Sequence, residues 1–119
     1  MLEKGTTFIR SGHIWFNLTE PKKHDSSVLC VNFTTLDDEC PDDECQILPS
    51  EYKWIENNHP TVIAFSRARI WDAEKIKSCL VSGTLKKPRF GDVPKSTVSK
   101  VLKIAQKSRE LNSDLKKFL

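Results

Sequence analysis

The chain has 119 residues, 38% of them hydrophobic and 29% charged, which fits a single soluble globular domain able to bury a core without staples. Its apolar runs are too short to cross a bilayer, and Met1-Leu2-Glu3-Lys4-Gly5 lacks the apolar centre of a signal peptide, so a cytoplasmic protein with no membrane partner is expected. The net charge of +3 hides a polarity, because residues 1–74 carry 7 basic and 13 acidic side chains while residues 75–119 carry 12 and 3. Such asymmetry implies either internal compensation or a basic C-terminal part suited to an acidic partner such as nucleic acid.

Thr7-Phe8-Ile9 is a short apolar piece that stops before Gly12. The first expected strand is His13–Thr19, rich in β-branched and aromatic residues. Pro21 opens a polar loop, and Val28–Thr35 is the second strand, so the two read as a hairpin with a long connection. Leu36–Glu44 is dominated by acids and is expected to be an exposed loop. Gln46-Ile47-Leu48 reads as a short third strand, and Pro49–Ile55 as one helical turn with Tyr52 and Ile55 covering the end of the sheet. His59–Trp71 is the longest β-like run, preceded by the turn signal Asn57-Asn58, and its residues 61–70 should form a central strand because an exposed edge of that composition would aggregate. Asp72 caps a helix that Gly83 stops. After a basic linker with two prolines, Ser96 caps a last helix of about 22 residues, whose stripe of Val101, Ile104, Leu111, Leu115 and Phe118 is interrupted only by Ser108.

Alternation along the central run places Val62, Ala64, Ser66, Ala68 and Ile70 on one face and His59, Thr61, Ile63, Phe65, Arg67, Arg69 and Trp71 on the other. The second face turns from apolar to cationic and aromatic, which suits an anion held beside a planar group. Ion pairing with the many acids is the competing role for both arginines. Cys40 and Cys45, with His59 and either His24 or His13, could supply zinc ligands. Their spacing is not that of a zinc knuckle and no second cysteine pair follows, so reduced cysteines, no metal and no cofactor are expected. The acidic loop lacks the alternation and glycine of a calcium loop. There is no nucleophile elbow and no glycine-rich phosphate cradle. The remaining constellation is His13, Thr34, Thr35, His59, Ser66, Arg67 and Arg69. Metal-free RNA cleavage needs a base, an acid and cations around the phosphate, and histidine and arginine suit these roles.

The order of elements resembles the small bacterial toxins of the PemK/MazF kind. The likeness is carried by the His13-led strand ending in a Thr-x-Pro turn, by Val28-Leu29-Cys30-Val31-Asn32-Phe33-Thr34-Thr35, by the acidic loop and Cys45-Gln46-Ile47-Leu48, and by Val62-Ile63-Ala64-Phe65 after His59. His13 stands where that family has its first acidic position, no Arg-Pro pair precedes Val28, and Thr34 or Thr35 matches the family's threonine or serine. The resemblance implies an SH3-like barrel with added helices, an RNA endonuclease, an antitoxin protein as partner and a homodimer.

The expected fold is therefore α+β, a small strongly bent antiparallel sheet or SH3-like β-barrel with C-terminal helices. It forms one domain, with a barrel core at about 6–71 and a helical part at about 72–119. The expected catalytic residues are His13, Thr34, Thr35, His59 and Arg67, with Ser66, Arg69 and Trp71 binding RNA. A non-catalytic SH3-like module that binds protein or nucleic acid through its basic last helix is the alternative.

Overall fold

The computed structural model describes residues 2–36, 42–53 and 60–119. Among these residues six strands form one antiparallel sheet: β1 (Thr7–Arg10), β2 (His13–Asn17), β3 (Ser27–Thr35), β4 (Gln46–Ile47), β5 (Thr61–Ile63) and β6 (Arg69–Asp72). Three helices follow, α1 (Ala73–Ser82), α2 (Lys95–Lys107) and α3 (Ser113–Lys116). The strand order is β1-β2-β3-β5-β4, with β6 also pairing to β3. No pairing among the described residues joins β1 to β4, so the α+β expectation holds with an open sheet rather than a closed barrel.

β3 organises the sheet. Val28 through Phe33 are all buried, as a strand covered on both faces requires. Its start pairs with β6 (Cys30 to Arg69) and its end with β5 (Phe33 to Ile63), while β2 takes the opposite edge (Phe16 to Val31). One face carries Phe16, Leu29, Val31 and Phe33 against Val98, Val101 and Ala105 of α2. The other carries Phe8, Trp15, Val28 and Cys30 against Ala73 and Ile76 of α1.

The run 61–71 is not one strand. Ala64 leaves the extended region at φ −84° and ψ 76°, Phe65–Arg67 form a 3-10 turn, and Ala68 returns to an extended conformation. The break falls where the edge of β3 changes partner from β5 to β6. The Asp42 carboxylate holds it, accepting from the Ser66 N–H at 3.0 Å and the Ser66 hydroxyl at 2.6 Å. Alternation also fails upstream of the break, since Thr61 through Phe65 are all buried.

The acidic segment departs from expectation in its described part. Asp42 is buried and Glu44 half-buried, because both carboxylates accept hydrogen bonds from backbone that would otherwise lack partners. Residues 37–41 lie outside the described residues.

β1 was not evident as a strand. It forms a tight hairpin with β2 through Ser11 and Gly12, both at positive φ (53° and 78°), as two-residue hairpin turns require. α1 follows expectation, with the Asp72 carboxylate accepting from the Glu74 N–H and Gly83 in the left-handed region. The last helix does not run unbroken. It starts after Pro94 and stops at Ser108, which is extended at ψ 138°. The buried Ser108 hydroxyl oxygen accepts from the N–H groups of Glu110 and Leu111, each at 3.0 Å. The hydroxyl itself donates to Glu44. Leu111, Leu115 and Phe118 still pack on the main core, so the C-terminal segment docks on its own sheet.

Of the segment 49–55, the described part is a turn in which the Glu51 and Tyr52 N–H groups donate to the Leu48 carbonyl. Tyr52 stacks on Phe33 with ring centroids 5.0 Å apart. Ile55 lies outside the described residues.

Candidate nucleic-acid interface

Directly paired residues in an antiparallel sheet project to the same face. Arg10 pairs with His13 and Phe8 with Trp15; Trp15 pairs with Asn32; Cys30 pairs with Arg69 and Val28 with Trp71. These registers set Arg10, His13, Arg69 and Trp71 on the face that α1 partly covers. Thr34, two residues beyond Asn32 on β3, belongs to that face by alternation. Thr35 belongs to the other, where it pairs with Thr61. Ser66 and Arg67 sit in the 3-10 turn and are not placed by strand alternation. The Ser66 hydroxyl is engaged by Asp42, and Arg67 is half-buried. His59 lies outside the described residues.

Trp71 has a structural role as well as an exposed side. It meets Trp15 edge-on at 4.7 Å and Phe8 at 5.5 Å between ring centroids. The Arg10 guanidinium lies 4.7 Å from the Trp71 ring centroid, within cation–π range. Beside this pair, Phe8, Arg10, Trp71, Lys75, Ile76 and Leu85 line a cleft of about 350 Å³. Arg69 is exposed and spends one guanidinium N–H on the Ala68 carbonyl at 3.2 Å. Asn32 is buried on the same face, and its Oδ1 has no hydrogen-bond partner among the described residues, which is uncommon for a buried acceptor.

Arg10 is the candidate residue on this face that sequence reasoning missed. Its signal was weak but present: Ser11-Gly12 is a hairpin turn, and that turn sets Arg10 directly opposite His13.

Among the described residues no group of three His, Cys, Asp or Glu side chains is placed to hold a metal ion. Cys40 and His59 of the zinc combination lie outside the described residues. Cys45 is buried in the main core, where burial pushes its thiol up to about 11, and burial raises the Cys30 thiol further still. Both are therefore poor sources of the thiolate that zinc requires.

No family model, no curated protein and no solved structure matches the chain.

Proposed function

We propose that the protein binds and cleaves RNA without a metal ion, on the face of the sheet that carries Arg10, His13, Arg69 and Trp71. The observation that supports this reading is their common side: two guanidinium groups, an imidazole and an indole from three strands lie on one face of the sheet, and Arg10 reaches the Trp71 ring. In the proposed reaction His13 takes the proton of a ribose 2′-hydroxyl. The freed oxygen attacks the adjacent phosphorus, the bond to the 5′-oxygen breaks, and a 2′,3′-cyclic phosphate forms. The departing oxygen receives a proton from an acid or from water. Arg10 and Arg69 stabilise the charge that builds on the phosphoryl oxygens. Thr34 positions the ribose or phosphate by hydrogen bonding, and Arg67 supplies a further cation at the margin of the face. The proposal extends to a growth-arresting toxin, active as a homodimer and neutralised by an antitoxin protein that occupies this face.

The test is a labelled RNA incubated with purified protein in chelator, alongside expression of the same variants in growing cells. His13→Ala should lose cleavage by at least a hundredfold, or about 3 kcal/mol of barrier, and relieve any growth arrest. Wild-type protein that neither cuts RNA nor slows growth refutes the nuclease. RNA retained without cleavage leaves the non-catalytic binding module, which the exposed Lys95, Lys103 and Lys107 of α2 favour.

A further inference from the structure

The cleft between β1, β6, α1 and the segment that follows α1 combines an apolar interior with cations at its rim. Its floor and walls are apolar, from Phe8, Trp71, Ile76 and Leu85, and its rim carries Arg10 and Lys75. Asp72 also reaches the rim, but its carboxylate accepts from the Ser26 hydroxyl at 2.8 Å and the Glu74 N–H at 2.9 Å. That carboxylate stays ionised, so the mouth carries two cations against one anion and is net positive. A volume of about 350 Å³ lies within the range of small-ligand sites. It admits one planar group and is too small for a duplex groove or a protein helix.

Arg10 identifies the occupant. Its guanidinium lies against the face of an indole, covering the surface on which a planar ring would stack. Exposed cation–π contacts are weak, so Arg10 can be displaced cheaply. A nucleobase that replaced it on Trp71 would bring its own phosphate, which the displaced Arg10 and Lys75 are placed to receive. A neutral aromatic ligand would make no use of the two cations, and a simple anion none of the apolar floor. A nucleotide uses both.

We propose that this cleft is a base subsite for single-stranded RNA, in which one unpaired base stacks on Trp71 and its phosphate is held by Arg10 and Lys75. The inference rests on the RNA reading above and adds the position where one nucleotide is gripped. His13, paired to Arg10 across the hairpin, then faces the phosphodiester next to the gripped base, so the cleft sets the register of cleavage.

The test separates gripping from cutting. A fluorescein-labelled 2′-O-methyl oligoribonucleotide of mixed sequence has its nucleophile blocked and reports binding alone, by anisotropy, in chelator and at two salt concentrations. Arg10→Ala and Lys75→Ala replace exposed side chains, and each should weaken binding and lower the salt dependence by about one phosphate contact. Trp71→Leu keeps apolar bulk but removes the stacking face, and it should weaken binding about tenfold or more. Thermal melts identify any variant that fails to fold, in which case the two exposed variants decide. His13→Ala should lose cleavage of ordinary RNA, and whatever binding of the blocked oligonucleotide it keeps should fall further when Arg10→Ala or Lys75→Ala is added. Unchanged affinity in Arg10→Ala and Lys75→Ala overturns the subsite, and cleavage that persists through His13 then leaves the nuclease reading standing. No binding by wild-type protein overturns both. Free nucleoside monophosphates that bind more tightly than the oligonucleotide overturn the RNA assignment in favour of a free-nucleotide site.

Discussion

At Gly5 the backbone sits at φ +84°, and a Cβ built there would meet the Val93 carbonyl oxygen at 2.8 Å and Val98 Cγ2 at 2.9 Å. The close approach is structural: the Val93 N–H donates to the Gly5 carbonyl and the Gly5 N–H to Asn17, joining the start of β1 to the entry of α2. Gly5→Ala adds left-handed strain to a backbone clash and should cost about 2–3 kcal/mol, read as a lowered urea midpoint with unchanged slope. Gly12→Ala meets no neighbouring atom and should cost less, which makes it the control. At this scale the sequence was legible wherever alternation is local. Arg69 and Trp71 share a face because they are two residues apart on β6. Arg10 joins them only through pairing with β2, and Arg67 leaves them because Ser66 is held by a carboxylate from a distant loop. Neither pairing nor that carboxylate can be read from the local pattern.

Both breaks that the sequence did not announce, the 3-10 turn at Phe65–Arg67 and the end of α2 at Ser108, are held by the same short segment. Asp42 takes Ser66; Glu44 takes the Ser108 hydroxyl and the Arg109 N–H at 2.9 Å. Composition alone made residues 36–44 a solvated loop, since acids without visible partners are usually exposed. Asp42 and Glu44 take backbone N–H groups and serine hydroxyls, donors that leave no charge pattern to detect. The helix that Asp72 and Gly83 bound was legible because both signals lie in the helix's own sequence. Glu44→Ala should strip the acceptor from the C-terminal segment, cost about 1–3 kcal/mol and speed amide exchange at Arg109 and Glu110. Asp43→Ala, which removes an exposed side chain from the same segment, should leave both quantities near wild type. Equal effects in the two variants would refute the latch.

The whole molecule's response to pH follows from how these carboxylates are placed. Glu110 sits where residues 42–44 meet the C-terminal segment. Its Oε1 accepts from the Asp43 N–H at 3.4 Å, and its Oε2 is buried with no hydrogen-bond partner among the described residues. Burial, reinforced by the charges of Asp42, Glu44 and Asp43, pushes it up to about 7. Glu44, Glu51 and Asp92 are also lifted by burial, but donors overcome this and hold all three below the usual range: Ser108 and the 109–110 backbone for Glu44, Lys100 and the Leu48 N–H for Glu51, and Lys87 with Thr7 for Asp92. The two sets act in opposite directions. For the depressed group the folded state releases protons more readily, so stability is present above the ordinary carboxylate range of about 4 and is lost as the pH falls through the folded values. For Glu110 the folded state holds its proton more tightly, so stability declines as the pH rises from about 4.3 to about 7 and then levels. Stability carried by these groups should therefore peak on the acid side of neutrality, between the two windows. Urea unfolding of wild type at pH 5 and pH 8 should give a lower midpoint at pH 8. Glu110→Gln, which keeps the shape and cannot ionise, should raise the pH 8 midpoint and narrow the gap. A gap of the same size in Glu110→Gln would show that Glu110 does not bear the uncompensated charge.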